Sequence, residues 1–319
     1  MASSDDSDDD ALNLKRHPAK QKFKRHPRPH PYKIEPIALK KRKDDRLPVK
    51  GKELIAEKFP GSVMLCAKTF SGKTTVEKHI IDHTTDERTA IIIFCSTVNT
   101  DAAWIAIVKD LRSRGYTVEA YDSIYEEVNG RKSCILPRVM KAIRERAKAR
   151  RKRKRGGDNE GQPISRFFVS SRRRIEDPND IKPVKPPTTW VPPAEVIFDD
   201  LPINELRSRA VETFMKQNRH DEARVMMSIH SIVHTMPSAM NQFSMVLVWD
   251  GFSRDYIDTL HDRVRTTLTK DQFWVLYQEV TSQKYSFLNI NMREKDVFRH
   301  NFDEPPIPVE QIFSENDDA

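Results

Sequence analysis

The sequence predicts an α/β fold, a mainly parallel sheet flanked by helices. Three observations predict it. Short, wholly apolar runs recur along the chain without alternation, as strands buried on both faces do. Helix-like segments separate several of these runs, and alternation of strand and helix is the mark of an α/β domain. At the first junction of run and helix stands "AKTFSGKTT", Ala67 to Thr75. It keeps a Gly-Lys-Thr where a strand hands over to a helix.

The first run is "VMLCA" from Val63, and Lys73 to Thr84 follows as a helix. "AIIIFCS" (Ala90 to Ser96) is the next run. That spacing fits one strand–helix–strand unit. Residues 101–114 read as a helix with an Asp cap, stopped by Gly115, and Tyr116 to Tyr121 as a strand. An amphipathic helix opens at 137 and ends at 155 in "KARRKRKR". Residues 150–193 are basic and Pro-rich, and read as a largely irregular insertion. "AEVIFDD" (Ala194 to Asp200), "ARVMMSIH" (Ala223 to His230) and "SMVLVWD" (Ser244 to Asp250) are further strands. Residues 203–217, 253–265 and 270–279 read as helices, and Tyr285 to Ile290 as a last strand. Residues 1–50 read as a disordered tail, acidic and then basic; 51–303 as the folded domain; 304–319 as a C-terminal tail.

Charge is unevenly placed. The net charge is +8, yet residues 1–52 carry +7 and residues 141–155 carry +9, so the remainder is acidic at −8. An acidic core with basic appendages suits a polyanion partner; a solvated tail and a nuclear-import signal are the other reading. The basic segment Lys148, Arg150, Arg151, Lys152, Arg153, Lys154 and Arg155 would contact DNA phosphates without reading sequence. Few aromatics interleave it, which argues against stacking on single strands. Three cysteines, none in a Cys-x-x-Cys pair, fit reduced thiols in an intracellular protein. No apolar stretch approaches the roughly 20 residues of a membrane helix, so no membrane partner is expected.

The loop asks for specific chemistry. Ala67, Lys68, Thr69, Phe70, Ser71, Gly72, Lys73, Thr74 and Thr75 nearly match the phosphate loop G-x-x-x-x-G-K-[ST], with Ala67 at its first position. Gly72 lets the backbone approach a phosphate, Lys73 reaches the β- and γ-phosphates, and Thr74 holds Mg²⁺. Glycine is scarce, at nine in the chain, which makes a chance Gly-Lys-Thr less expected. Asp199 and Asp200 end an apolar run where strand C-termini form a ligand crevice. Asp199 would hold Mg²⁺ through water, and Asp200 would orient or deprotonate the attacking water. A capped turn is the plain alternative for these two acids. "HIIDH" (His79 to His83) approximates an inverted zinc-protease motif, but Asp stands where Glu is expected, and a solvated helix face explains it.

Taken in order, "AKTFSGKTT", "VIFDD", "NRHDEARVMMSIHSIVHTMPSAMNQ", "VLVWDGFSRD" and "KYSFLNINMREKDVFRHNFDE" resemble the genome-packaging ATPases of large DNA viruses, virophages and polinton-like elements. That family belongs to the FtsK–HerA, RecA-like branch of P-loop ATPases. The resemblance spans roughly residues 55–303. It implies an ATP-hydrolysing, Mg²⁺-dependent homo-oligomeric ring. It further implies translocation of double-stranded DNA into a capsid, capsid or portal partners, and a virus factory, host nucleus or virion as location. It places His230 where the family commonly has a Gln sensor, and Met240 where it often has Arg. An arginine finger would then come from Arg219 or Arg254, or be absent. Two other functions stand beside it: a cellular-type DNA translocase or helicase, and a DNA-binding structural protein with a degenerate phosphate loop.

Overall fold

Four-residue β1 (Val63–Cys66) is buried at every position, as a strand covered on both faces must be. A computed structural model describes residues 47–55, 61–155, 188–231, 237–303 and 305–309, with backbone alone for 151–155 and Pro237. Residues 1–46 of the expected tail (1–50), 156–187 of the expected insertion (150–193), and 304 and 310–319 of the expected C-terminal tail (304–319) lie outside these residues. After β1 come α1 (Lys73–Thr84), β2 (Ala90–Cys95), α2 (Ala102–Ser113), β3 (Thr117–Tyr121), β4 (Tyr125–Val128), β5 (Arg131–Cys134) and α3 (Leu136–Arg155). Then follow β6 (Ala194–Asp199), α4 (Ile203–Leu206), α5 (Arg209–Gln217), β7 (Ala223–Ile229), α6 (Pro237–Met240) and β8 (Met245–Trp249). α7 (Arg254–His261), α8 (Lys270–Val280), β9 (Phe287–Asn291) and β10 (Phe298–His300) complete the order.

Among the described residues eight strands form one sheet, ordered β10-β9-β8-β1-β7-β6-β2-β3. The six strands from β8 to β3 run parallel; β9 and β10 are antiparallel additions at one edge. The expected α/β, mainly parallel P-loop type of sheet is therefore present. The first strand–helix–strand unit differs from a simple neighbour pair. β7 and β6 lie between β1 and β2, so α1 carries the chain across two strand positions. That crossover places β1 in the middle of the sheet, with the β7 end directly beside it and the β6 end one strand further.

Successive residues of a strand point to opposite faces. One face carries Met64, Phe94, Phe198, Met227 and Val248, covered by residues of α3, α5, α7 and α8. The other carries Leu65, Ile93, Ile197, Met226 and Leu247, covered by α1 and α2. Full burial of such a side chain is worth about 1.5–3 kcal/mol. Continuous apolar strands with two covered faces are thus the main source of cohesion.

Several expectations needed adjustment. The helix expected over 203–217 is two helices. Ser208 accepts a hydrogen bond from the Val211 N–H and starts α5 afresh. Glu205 in α4 turns inward to accept from Ser123 Oγ at 2.8 Å and the Ile124 N–H at 2.9 Å. The β4–β5 hairpin was not anticipated, although its Asn129-Gly130 turn, both at positive φ, is a readable hairpin signal. The basic helix is α3, which runs unbroken through Arg155. Residues 47–50 join the folded part: Val49 bridges to Trp190, and Lys50 N–H donates to the Trp190 carbonyl.

Candidate active site

The loop after β1 continues the sheet before it leaves it. Ala67 is fully buried and its N–H donates to the Ile229 carbonyl at 3.2 Å. A methyl group therefore fits at this first loop position, where glycine is commoner. Lys68, Thr69 and Phe70 then swing into solvent, Phe70 being 94% exposed. Phe70 (φ 62) and Gly72 (φ 85) both adopt left-handed backbone. Glycine takes this conformation without a Cβ clash; an aromatic residue does so at a cost. Gly72 caps α1, so the first N–H groups of that helix face the loop's concavity. The Ser71 hydroxyl is buried without a hydrogen-bond partner among the described residues. A buried donor of this kind, in a loop of helix-start N–H groups, suits a phosphate oxygen.

Lys73 turns its ammonium to Asp199 Oδ1 at 2.7 Å. Burial alone would lower the Lys73 pKa, but Asp199, Glu77 and Asp200 outweigh it and the net direction is upward. Asp199 is buried at the end of β6, and its other oxygen accepts from the Trp104 indole N–H at 2.7 Å. Cys95 Sγ lies 3.9 Å from that same oxygen. Burial foremost pushes the Cys95 thiol up to about 12 and the Cys66 thiol to about 12, so both stay protonated at neutral pH, the reduced thiols expected.

Asp200 is the first residue past β6, exposed and in left-handed backbone (φ 51). Its carbonyl accepts from Ser96 Oγ at 2.6 Å. Its carboxylate meets His230 Nε2 at 2.5 Å, while His230 Nδ1 donates to the Ala67 carbonyl at 2.8 Å. His230 thereby ties the end of β7 to the phosphate loop and to the acid on β6.

Beneath the loop, α1 is held to the sheet by polar side chains. Glu77 is fully buried and accepts from the Ser228 hydroxyl. Burial foremost, then Asp199, pushes its carboxyl well above the usual carboxylate range. At the far end of α1, Arg224 pairs with Glu195 at 2.5 Å and donates to the Thr84 hydroxyl. Both members of that ion pair are buried.

The structure brings together Ala67, Gly72, Lys73, Asp199, Asp200 and His230. Thr74 follows Lys73 in the first turn of α1, half-buried, and Thr75 is exposed. Arg219 stands elsewhere: it precedes β7, whereas His230 follows it, and its guanidinium approaches the Gln242 carbonyl at 3.5 Å. Seven strand residues at about 3.3 Å each separate the two ends. Arg254 pairs with Asp258 and Asp271. Met240 is a core residue. His79 and His83 sit on the exposed side of α1, His83 Nδ1 donating to the His79 carbonyl at 2.9 Å.

On the basic helix, Leu136, Val139, Ile143 and Ala147 are buried, and Lys148 is exposed. Arg150 donates to the Val191 carbonyl at 3.0 Å. Arg151, Lys152, Arg153, Lys154 and Arg155 extend the helix, their side chains lying outside the described residues. Among the described residues no helix is long and apolar enough to cross a membrane.

Trp104, Glu77 and Ser228 were missed in the sequence. Trp104 left a faint signal, because a buried indole N–H needs an acceptor and an acid at a strand end is one. Glu77 stands inside an otherwise ordinary helix face and left none.

No family profile and no curated protein matches the chain. Solved structures do. The genome packaging NTPase B204 from Sulfolobus turreted icosahedral virus 2, in complex with AMPPCP, is 13% identical with a TM-score of 0.45 over 78% of this chain and 99% of that one. EssC (ATPases 2 and 3) from Geobacillus thermodenitrificans is 11% identical, TM-score 0.41, over 80% and 43% respectively. The pCW3 conjugation coupling protein TcpA with ATPγS is 10% identical, TM-score 0.40, over 84% and 74%. At these values the fold rests on the chain's own sheet and loop, and the chain is similar to solved ATPases, a viral genome-packaging NTPase among them.

Proposed function

We propose that the protein is an ATP-hydrolysing motor that translocates double-stranded DNA, and that its task is to package a viral genome into a capsid. The observation that carries the ATPase reading is the convergence on one loop of Lys73, Asp199, Asp200 and His230, from three adjacent strands. The loop's N–H groups and the Ser71 hydroxyl would bind the triphosphate, and Lys73 would exchange Asp199 for the phosphates. Hard oxygen donors suit Mg²⁺, and Thr74 and Asp199 would hold it, where it neutralises phosphate charge. Asp200 would orient the attacking water and take its proton. The water oxygen bonds to the γ-phosphorus as the β,γ-bridging bond breaks, releasing ADP and phosphate. His230, bonded to both Asp200 and the loop, would sense which nucleotide is bound.

Packaging, ring assembly and capsid or portal partners rest on the order of motifs along the chain. Arg219, at the opposite end of β7 from His230, would serve as an arginine finger only toward a neighbouring subunit. The basic end of α3 would hold DNA phosphates.

ATP turnover by the purified protein should rise on addition of duplex DNA. Lys73→Ala should abolish turnover without unfolding the chain, and Asp200→Asn should bind ATP but not turn it over. Robust hydrolysis by either variant would overturn the site assignment. A strand-displacement activity would favour a helicase over a packaging motor.

A further inference from the structure

The sheet order gives the phosphate loop two unlike flanks. On the β7–β6 side stand His230, Asp200 and Asp199. On the β8–β9 side stand Gly251, just past β8, and Tyr285, just before β9. Gly251 (φ 96) leaves room for Lys68, whose Nζ would lie 3.2 Å from a Cβ placed there. Tyr285 lies against the loop itself: a Cβ on Gly72 would meet its Cδ1 at 3.4 Å. The residue is nonetheless 56% exposed, and its backbone is left-handed at φ 71. The Lys284 ammonium sits 4.8 Å from the ring centroid.

An exposed Tyr in left-handed backbone is costly, since Gly or Asn would hold the same turn more easily. The residue stays more than half exposed in return. What it offers is a flat aromatic face beside Gly72, on the flank away from the acids. A nucleotide whose γ-phosphate points to Asp200 runs its α-phosphate, sugar and base toward the opposite flank.

We propose that Tyr285 is the shelf on which the nucleotide's base stacks, with Lys284 steadying the ring. The inference rests on the nucleotide reading of the loop. Stacking uses the π-face that every base has, so the shelf would favour nucleotides over bare polyphosphates without choosing strongly among bases.

Calorimetric titration with a non-hydrolysable ATP analogue, a GTP analogue and inorganic tripolyphosphate, each with Mg²⁺, tests it. Tyr285→Asn keeps a residue at ease in left-handed backbone and removes the ring; Tyr285→Phe keeps the ring. Tyr285→Asn should weaken both nucleotides roughly tenfold, the scale of one aromatic–base stack, and leave tripolyphosphate binding unchanged. Tyr285→Phe should bind all three as the wild type does. Equal weakening of nucleotides and tripolyphosphate would make Tyr285 a brace for Gly72 and overturn the proposal, as would unchanged nucleotide binding. Wild-type protein that binds neither nucleotides nor tripolyphosphate would overturn the loop reading and this inference with it.

Discussion

Glu77 shows how much a single buried group can govern. Its carboxyl lies under the phosphate loop, bonded by the Ser228 hydroxyl, with its second oxygen unpartnered among the described residues. Burial, with help from Asp199 and Asp200, raises its pKa well above the ordinary value; Lys73 and Ser228 oppose this without prevailing. The folded chain thus keeps a proton that the unfolded chain has lost. Stability from this site is full below the ordinary carboxylate pKa of about 4.3 and falls as pH rises through the folded value. Glu77→Gln, neutral at every pH, should flatten that decline and leave the urea midpoint at pH 8 no lower than the wild type's. A decline as steep as the wild type's would show that Glu77 is ionised in the fold. At this scale the sequence was partly legible. Gly72, Lys73 and the Asp pair announce themselves through residue type and position. Glu77, Trp104 and Tyr285 do not, because nothing local says which neighbour each will meet.

At the scale of elements, α1 ties the parts of the site together. Its start carries Gly72 and Lys73, its middle Glu77, and its end meets Arg224 through Thr84. Arg224 and Glu195 are direct partners in the β6–β7 register and are buried on the face of the sheet that α1 covers. Removing one charge strands the other. Arg224→Met should therefore destabilise the protein by about 3–5 kcal/mol in denaturant unfolding. Adding Glu195→Leu should recover most of that loss, since an apolar pair needs no solvation. Failure of the double variant to recover would mean that the Thr84 bond, not the ion pair, anchors α1. Element types and approximate spans were legible because periodicity and capping are local. The split between α4 and α5 was hidden because Glu205 is drawn inward by Ser123 and Ile124, some eighty residues earlier in the chain. The hairpin was legible in Asn129-Gly130 and was overlooked between two clearer elements.

At the scale of the molecule, the charge map separates an acidic remainder from the basic end of α3. Arg144 is paired with Asp221, and Arg146 is turned to the Arg88 carbonyl, burial foremost bringing its pKa down to about 10. α3 is thus committed to the fold through Arg144, Arg146 and Arg150, and under the proposed function Lys148 and residues 151–155 would meet DNA phosphates. Duplex affinity should fall steeply with salt. Replacing Lys148, Lys152 and Lys154 with Gln should make the log–log salt dependence shallower by about 0.9 for each phosphate no longer neutralised. A salt slope unchanged by these substitutions would move the DNA-binding surface elsewhere.

The sequence by itself determined the fold class, the strand–loop–helix with its Gly-Lys-Thr, and the acidic strand end. Each depends on interactions within a few residues, and those are written in residue type and spacing. Only the tertiary structure decided the strand order, which sets β1 between β7 and β8. From that order follow the pairing of Trp104 with Asp199, 95 residues apart, and of His230 with Ala67, 163 apart. Tyr285 reaches Gly72 for the same reason. Such contacts are fixed by how apolar strands pack side by side, and no short stretch of chain records which neighbour a strand will take.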